Sequence, residues 1–573
     1  MSDTLGETRR RYERLDQSIV KDSWRRLVPN KKDLLKDAVA GIPGAVGSVP
    51  DGMAASVLAG VNPIHGLYAS FAGPIAGGLT SSTQFMVITT TSAAALAAGS
   101  AIASVPSSQR AAAMILLTAI AGVAMIAAGV FKLGRYARFV SYSVMRGFLA
   151  GVAINIILGQ FPDLTGAPSH GALAIDKAWG VITHPHSVDV HTLVIGALAG
   201  VILLSTSRTR FSSFAALIAL IVPTLMAVLL HWDEVKRVSS KGPIPAGLPL
   251  PGLPHLSMFT PSLFGGALAV AAVVLVQGVG VGEAVPNPDG TATNVNQDFI
   301  AEGVGNLASA LFKGQPVGGS VGQTALNRTA GARTRWAAIF SGLWMVAILV
   351  AFSPAISRVA LTTLAAVLIV AAVSSLSPGE ILNTWRAGPN SQIALVSTFV
   401  ATLFLPIPAA VGLGVVISLL LQLNREAMDL RVVQLRLNAD GSFDEASVPI
   451  VLPSDAVTVL DVYGSLLYAG SRTLQVRLPE LQGFSHGALV LRLRGRAQLG
   501  NTFLHVIEDY ATRLATCDGR LFLSGVSDDL SEQLDRSGVL TRAPIEVVAS
   551  TTRIGKSSRE AVDRAEAWLD GDN

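Results

Sequence analysis

The chain is poor in residue types on which many small or soluble proteins depend. Cysteine occurs once, at Cys517, so the sequence can form no internal disulfide and no cysteine-based metal site. Charged residues make up only 14% and aromatic residues only 6% of the 573 residues, whereas 50% are hydrophobic. The high apolar content excludes a disordered chain, and the single cysteine excludes a secreted disulfide scaffold.

The few charges are unevenly distributed along the chain. Residues 37–424 carry 29 charged side chains in 388 positions, whereas residues 425–573 carry 37 in 149. A soluble surface needs about 25–35% charged residues, so the middle region cannot be an ordinary soluble domain. The sequence therefore predicts an α-helical polytopic membrane protein with a small soluble domain after it. The lipid bilayer is its expected surrounding, and no nucleic-acid partner is expected.

Five parts are expected along the chain. They are a cytoplasmic N-terminal segment (1–34), a transmembrane transport domain (35–424), a linker (425–447), a soluble domain (448–550) and a C-terminal tail (551–573). A spanning helix needs about 20 apolar residues, and about fourteen segments qualify as candidates. On balance the basic loops fall on the side of the N-terminus, so we expect a multi-pass protein of the cell (inner) membrane with both termini in the cytoplasm.

Two segments interrupt the apolar pattern at mid-membrane. They are 80–84 (TSSTQ), followed by 89–92 (TTTS), and 314–324 (GQPVGGSVGQT). Proline and glycine weaken a helix, so a half-helix is expected to begin near Ser320. The breaks fall in the third and tenth candidate spans, which match if fourteen spans form an inverted repeat of seven plus seven. Half-helix N-termini offer N–H donors to an anion, although two kinked structural helices are the alternative reading.

Two polar side chains lie within otherwise apolar spans. Asp51 follows Pro50 in the first span, and a carboxylate inside a membrane is a functional hypothesis by default. It could carry a proton, bind a cation or accept hydrogen bonds from a helix end. Gln277 interrupts the apolar run 267–282, where an amide either lines a site or joins two helices by a hydrogen bond.

Several ordered segments resemble the SulP family of inorganic anion permeases. They are 49–54 (VPDGMA), 58–63 (LAGVNP), 144–148 (VMRGF), 244–249 (IPAGLP), 296–301 (NQDFIA) and 316–320 (PVGGS). The resemblance covers nearly the whole chain. It implies a seven-plus-seven inverted repeat in which a core domain moves against a gate domain, and it implies a homodimer.

The resemblance also implies which residues bind the anion. In span three they are Thr89 and Thr90, and in span ten they are Ser320, Val321 and Gly322.

The chain departs from the family pattern at two charged positions. The acid common in span eight of the family falls at Gln277, and the arginine common early in span ten falls at Gln323. Asp51 occupies the polar position of span one, so it could replace the missing acid in coupling transport to an ion.

The soluble domain is expected to be a small α/β sheet. Its predicted strands are 449–452, 457–462, 487–493 and 520–525, and its predicted helices are 470–480, 502–516 and 528–537. The domain resembles a STAS domain, the cytoplasmic partner found in the same family.

Three functional hypotheses follow, and none is an enzyme or requires a cofactor or a metal. The first is a secondary active transporter of a small inorganic anion, such as a sulfate-like oxyanion, with H⁺ or Na⁺ as a coupling ion. The second is a bicarbonate or dicarboxylate carrier, coupled to Na⁺ through Asp51. The third is a membrane scaffold or regulatory protein that acts through its STAS-like domain and has a degenerate site.

Overall fold

The computed structural model describes residues 31–571 except 140, 169–170, 172, 210–211, 243–246, 429, 439–441 and 497. Most of the predicted N-terminal segment, and the start of the family-like segment 244–249, lie outside the described residues. The chain divides into two compact units, which meet in sequence between Ser418 and Leu419. We call them the membrane unit and the C-terminal unit.

The membrane unit is built from helices joined by mostly short connections. In chain order its helices are α1 (Lys31–Leu58), α2 (Ile64–Thr80), α3 (Ser92–Ala101), α4 (Arg110–Val130), α5 (Tyr142–Gly159), α6 (Phe161–Thr165), α7 (Ala174–Thr183), α8 (Val190–Thr206), α9 (Ala215–Leu229), α10 (Pro261–Ala284), α11 (Val295–Leu311), α12 (Val321–Thr329), α13 (Trp336–Ile356), α14 (Leu361–Ser375), α15 (Pro378–Arg386), α16 (Pro389–Phe404) and α17 (Ile407–Met428).

Among the described residues, five helical stretches are long and apolar enough to cross a membrane. They are Arg110–Val130, Tyr142–Thr165, Pro261–Ala284, Trp336–Ile356 and Leu361–Arg386. Other helices are shorter, or like α1 are interrupted by polar residues and by prolines. Such breaks are tolerated at membrane depth where neighbouring protein satisfies the backbone.

Two three-residue strands interrupt the helices at corresponding places. Strand β1 (Ile88–Thr90) follows α1 and α2, and strand β2 (Val317–Gly319) follows α10 and α11. Each strand leads directly into a short helix, α3 or α12. The strands pair antiparallel, with Thr89 opposite Gly318. This repeated order is the architecture that the paired breaks in the sequence predicted.

Glycine allows the helices of the membrane unit to approach closely. A Cβ atom at Gly66 of α2 would lie only 1.8 Å from the carbonyl oxygen of Gly52 of α1. A Cβ atom at Gly147 of α5 would lie 2.3 Å from the carbonyl oxygen of Leu395 on α16. Membrane helices rich in small residues pack backbone to backbone in this way.

The C-terminal unit is an α/β domain with one six-stranded sheet. Its strands lie in the order β4-β3-β5-β6-β7-β8. They are β3 (Arg431–Leu437), β4 (Phe443–Ala446), β5 (Val457–Tyr463), β6 (Gly487–Arg492), β7 (Gly519–Val526) and β8 (Ile545–Ala549). The helices are α18 (Tyr468–Arg477), α19 (Asn501–Thr516), α20 (Asp528–Ser537), α21 (Val539–Arg542) and α22 (Lys556–Leu569). Strands β5, β6, β7 and β8 run parallel.

Some parts of this unit agree with the sequence prediction and others do not. The three strands predicted at 457–462, 487–493 and 520–525 are present as β5, β6 and β7. The strand predicted at 449–452 is wrong, because Val451 makes only an isolated bridge to Glu480. The expected linker 425–447 supplies β3 and β4. The expected tail contains α22, whose buried Ala561 packs in an apolar cluster with β6 and β7 residues.

Candidate functional site

The candidate site begins with two short helices whose N-termini are held together by the β1–β2 pair. The hydroxyl of Thr91 caps α3 by accepting a hydrogen bond from the N–H of Ala94 at 3.2 Å. The hydroxyl of Ser320 caps α12 by accepting from the N–H of Gln323 at 3.3 Å. The first turn of a helix has N–H groups without helical partners and a positive end of the dipole. The strand pair therefore brings two such ends to one region.

Further hydrogen bonds fix this junction. The N–H of Ser320 donates to the carbonyl oxygen of Val87 at 3.0 Å. The N–H of Val87 donates to the hydroxyl of Thr324 at 3.1 Å. The segment before β1 is thus bonded to both the cap and the first turn of α12, although the residues are far apart in sequence.

The predicted anion donors of span three are buried. Thr89 and Thr90 are 1% and 5% exposed, and neither hydroxyl has a hydrogen-bond partner in the protein. A buried hydroxyl without a partner is unfavourable, so these two hydroxyls are unsatisfied in the protein alone. They lie opposite Gly318 and Val317 of β2.

The predicted donors of span ten are more accessible. Val321 is 56% exposed, and a Cβ atom built at Gly322 would meet no other heavy atom within 4 Å. A small anion can therefore approach the backbone at the start of α12. This open first turn is the arrangement by which helix N-termini commonly bind anions.

Asp51 and Gln277 each touch one of the two half-helices. The amide nitrogen of Gln323 donates to the Asp51 carboxylate at 2.8 Å. The hydroxyl of Thr91 donates to the amide oxygen of Gln277 at 3.2 Å. Gln323, where the family resemblance implies an arginine, is thus bonded to Asp51 of α1. Gln277 of α10 contacts Thr91, the N-cap residue of α3.

Three polar side chains on α11 support the strands, and the sequence analysis assigned them no role. The carboxylate of Glu302 accepts from the N–H of Gly319 at 2.9 Å. The amide of Asn306 accepts from the N–H of Val317 at 3.0 Å and donates to its carbonyl oxygen at 2.7 Å. Asn306 therefore binds β2 like a neighbouring strand.

The third of these side chains, Asp298, holds the hydroxyl-rich segment. It accepts five hydrogen bonds of 2.6–3.0 Å from Ser81, Ser82 and Thr83. Asp298, Glu302 and Asn306 are spaced four residues apart, so they share one face of α11. That spacing of polar residues in an apolar region was a readable signal for a buried support of the site.

Two cavities lie away from these residues. One of about 730 Å³ is lined by β3, β4 and α18 residues such as Val433 and Arg477, within the C-terminal unit. Another of about 260 Å³ is lined by Asp189, Thr192 and Thr362 in the membrane unit. Neither contains a residue of the candidate site.

A family model described as "Sulfate permease family" matches residues 34–398. The chain belongs to the Sulfate permease family. It is therefore a member of a family of multi-pass membrane transporters, and the protein is a transporter rather than an enzyme.

Individual relatives are distant but cover most of the chain. The chain is 24% identical over 522 residues to a putative sulfate transporter, YvdB, of Bacillus subtilis, which covers 89% of this chain and 95% of that protein. It is 23% identical over 442 residues to the bicarbonate transporter BicA of Synechocystis, which covers 74% of this chain and 76% of that protein.

A solved structure shares the fold over nearly the full length. The murine Solute Carrier 26 family member A9 anion transporter, in the inward-facing state, superposes with a TM-score of 0.79 at 19% identity. The match covers 95% of this chain and 93% of that one. A membrane unit followed by a C-terminal α/β sheet, consistent with a STAS domain, is thus the fold of this chain.

Proposed function

We propose that the protein is a secondary active transporter of a small inorganic anion and works by alternating access. The observation that carries the proposal is the antiparallel β1–β2 pair, which brings the N-termini of α3 and α12 together. The anion is held by the buried hydroxyls of Thr89 and Thr90 and by the backbone of Ser320, Val321 and Gly322. A sulfate-like oxyanion suits such donors, and the relative from Bacillus subtilis carries sulfate in its name.

A second candidate substrate is bicarbonate, and Asp51 favours it. This candidate goes with Na⁺ coupling, in which Asp51 stays ionised: an ionised carboxylate only accepts hydrogen bonds, and sulfate has no donor to offer. Bicarbonate carries its own O–H group, which can donate to Asp51. The resemblance to a bicarbonate transporter agrees with this choice. A dicarboxylate also carries carboxylate groups, so it is included as a substrate in the transport assay.

Asp51 is also the proposed group for ion coupling. Gln277 and Gln323 are neutral at positions where the family resemblance implies an acid and an arginine. Asp51 is ionisable, and it is bonded to Gln323 in the first turn of α12. A proton or Na⁺ at this carboxylate would remove its repulsion of an incoming anion. We propose H⁺ as the coupling ion. Uptake driven by a Na⁺ gradient instead would identify Na⁺ as the coupling ion.

The placement in the cell follows from charge and family membership. We propose a homodimer in the cell (inner) membrane, with both termini in the cytoplasm. The loop after α12 carries Arg333 and Arg335, and positive loops stay on the cytoplasmic side.

Anion flux into proteoliposomes tests the proposed function. Purified protein is reconstituted, and uptake of radiolabelled sulfate, bicarbonate and a dicarboxylate is measured with and without H⁺ and Na⁺ gradients. Uptake of one anion above empty liposomes supports transport. Failure of all of them would leave the scaffold hypothesis, in which the site is degenerate.

Filling the open first turn of α12 should block this flux. Gly322→Leu is expected to lower uptake at least about tenfold, because its side chain extends into the space where the anion binds. Thermal stability should change little, since a Cβ atom at this exposed position meets nothing within 4 Å. Gly200→Leu on α8 is the matched control, because a Cβ atom there also meets nothing within 4 Å. Equal uptake by the two variants would place the anion elsewhere.

Neutralising Asp51 should uncouple transport. Asp51→Asn cannot take up a proton but keeps an oxygen that accepts from Gln323. We expect uptake driven by a pH gradient to fall at least about tenfold, whereas anion exchange at equal pH stays within about twofold. Radiolabelled uptake under both conditions measures this. Unchanged gradient dependence would remove Asp51 from the coupling mechanism.

A further inference from the structure

Helices α1 and α12 face each other along a row of polar side chains and glycines, which starts at the candidate site. We call it the α1–α12 seam. It consists of Asp37, Gly44, Gly47 and Asp51 of α1 with Gln323 and Asn327 of α12. Asp37, Gly44 and Asp51 are spaced by seven residues, so they lie near one face of α1. Gln323 and Asn327 are spaced by four and share a face of α12.

The glycines of the seam make room for the two amides. A Cβ atom at Gly47 would lie 3.3 Å from the amide nitrogen of Gln323. A Cβ atom at Gly44 would lie 2.7 Å from the amide oxygen of Asn327. At these two glycines α1 and α12 therefore meet through polar groups. Small apolar side chains on α12 could pack there equally closely.

These amides are not satisfied by the protein. Asn327 is 1% exposed, and neither its amide oxygen nor its amide nitrogen has a hydrogen-bond partner. Gln323 is 5% exposed; its nitrogen donates to Asp51, and its oxygen has no partner. Unpartnered buried amides are costly in a helix interface, and ordered water is the usual partner of such groups.

The seam joins the candidate site to one end of the membrane unit. At one end lies Asp51, whose side chain is half-buried and bonded to Gln323. At the other end the buried Asp37 accepts hydrogen bonds from the N–H groups of Arg333 and Thr334. Fourteen residues of helix separate the two carboxylates, which is about 21 Å.

The surroundings contain few other ionisable groups. Among the described elements packed on α1, the helices α3, α9, α13 and α14 and strand β1 carry none. Helix α12 carries Arg328, and the sequence of α1 itself includes Lys31, Lys32, Asp33 and Lys36 before Asp37. Helix α2 carries Tyr68 and His65, whose ring nitrogen bonds the carbonyl oxygen of Lys313 at 2.6 Å.

We propose that the α1–α12 seam is the hydrated route by which protons reach Asp51 from the side that carries Arg333. This inference rests on the proposed coupling at Asp51. A proton passes from hydronium along a chain of ordered water molecules, which the two amides hold in place by hydrogen bonds. It forms an O–H bond with an electron pair of the Asp51 carboxylate, and water is left behind.

Replacing Asn327 tests the route in the full-length protein in proteoliposomes. Asn327→Leu makes the middle of the seam apolar and should lower sulfate or bicarbonate uptake driven by a pH gradient at least about tenfold. Exchange of the same anion at equal pH should stay within about twofold, because bound anion can exchange without release of the proton. Asn327→Ser keeps a hydroxyl and space for water and should retain both activities.

The matched control makes the same substitution at another amide. The amide of Asn155 on α5 donates to the carbonyl oxygen of Thr402 at 2.8 Å, away from the seam. Asn155→Leu should leave the ratio of driven uptake to exchange as in the wild type. Equal losses of both activities in Asn327→Leu would show a structural role and overturn the proposal.

The outcomes separate the route from the coupling on which it rests. If wild-type uptake does not respond to a pH gradient, both the coupling at Asp51 and the route fail. If Asp51→Asn abolishes the response while Asn327→Leu keeps it, the coupling stands and the route is wrong.

Discussion

Replacing Asp298 by alanine is expected to destabilise the membrane unit severely. The carboxylate accepts hydrogen bonds from the backbone N–H groups of Ser82 and Thr83 and from three hydroxyls of the same turn. The Ser81 and Ser82 hydroxyls also reach carbonyl oxygens, but the two N–H groups and the Thr83 hydroxyl depend on Asp298. Each buried donor left without its partner costs about 1–3 kcal/mol. Because several are lost together, the total approaches the roughly 5–15 kcal/mol of net stability that a folded protein has.

Thermal unfolding of purified protein in detergent measures this effect. Asp298→Asn should be intermediate, since it keeps the oxygen position that accepts from Ser82 but replaces the oxygen bonded to the Thr83 hydroxyl. Glu283→Ala is the control, because this exposed acid lies at the end of the adjacent helix α10. A stability of Asp298→Ala equal to that of Glu283→Ala would contradict the supporting role of Asp298.

The sequence was sufficient to predict the central architectural feature of the membrane unit. Pro316 and the glycines around it cannot sustain a helix, and α12 indeed begins at Val321 with Ser320 as its cap. The helix-breaking tendency of these residues is local, so no knowledge of distant contacts was needed. The hydroxyl-rich 80–84 segment was less well interpreted. It closes a turn on Asp298, and the break that pairs with β2 is strand β1.

Contacts between distant residues could not be predicted in the same way. Asp51 and Gln323 are 272 positions apart, and their hydrogen bond depends on how α1 packs against α12. The sequence marked both residues as unusual but gave no reason to pair them. Glu302 was missed although its spacing from Asp298 and Asn306 indicates a shared face of α11, and nothing local shows that its partner is a backbone N–H of β2.

The C-terminal unit shows the same limit. The apolar runs of β5, β6 and β7 are short and bounded by helices, so they were recognised. Helix α22 is polar overall, and only the face with Ala561 and Ala565 is buried in the unit. Such a helix resembles a solvated tail until the sheet that covers its apolar face is known.

The second large effect is expected at Gly278 of α10, beside Gln277. A Cβ atom there would lie 2.2 Å from a carboxylate oxygen of Glu302. Because Glu302 is fully buried and bonded to Gly319, it can move only by breaking its hydrogen bond to β2. Overpacking costs about 1–3 kcal/mol, and the lost bond to a buried N–H adds about as much. We therefore expect Gly278→Ala to lower both the thermal stability and the anion uptake.

A double-mutant cycle distinguishes this contact from a general destabilising effect of replacing glycine by alanine in α10. Gly265→Ala and Gly280→Ala on the same helix should be near wild type, since a Cβ atom at either position meets nothing within 4 Å. Glu302→Ala removes the obstructing carboxylate, so adding Gly278→Ala to it should cost little more, whereas Gly278→Ala alone costs much. Additive losses would contradict a direct clash. A strong coupling would show that β2, and with it the first turn of α12, is positioned through Glu302 by the helix that also supplies Gln277.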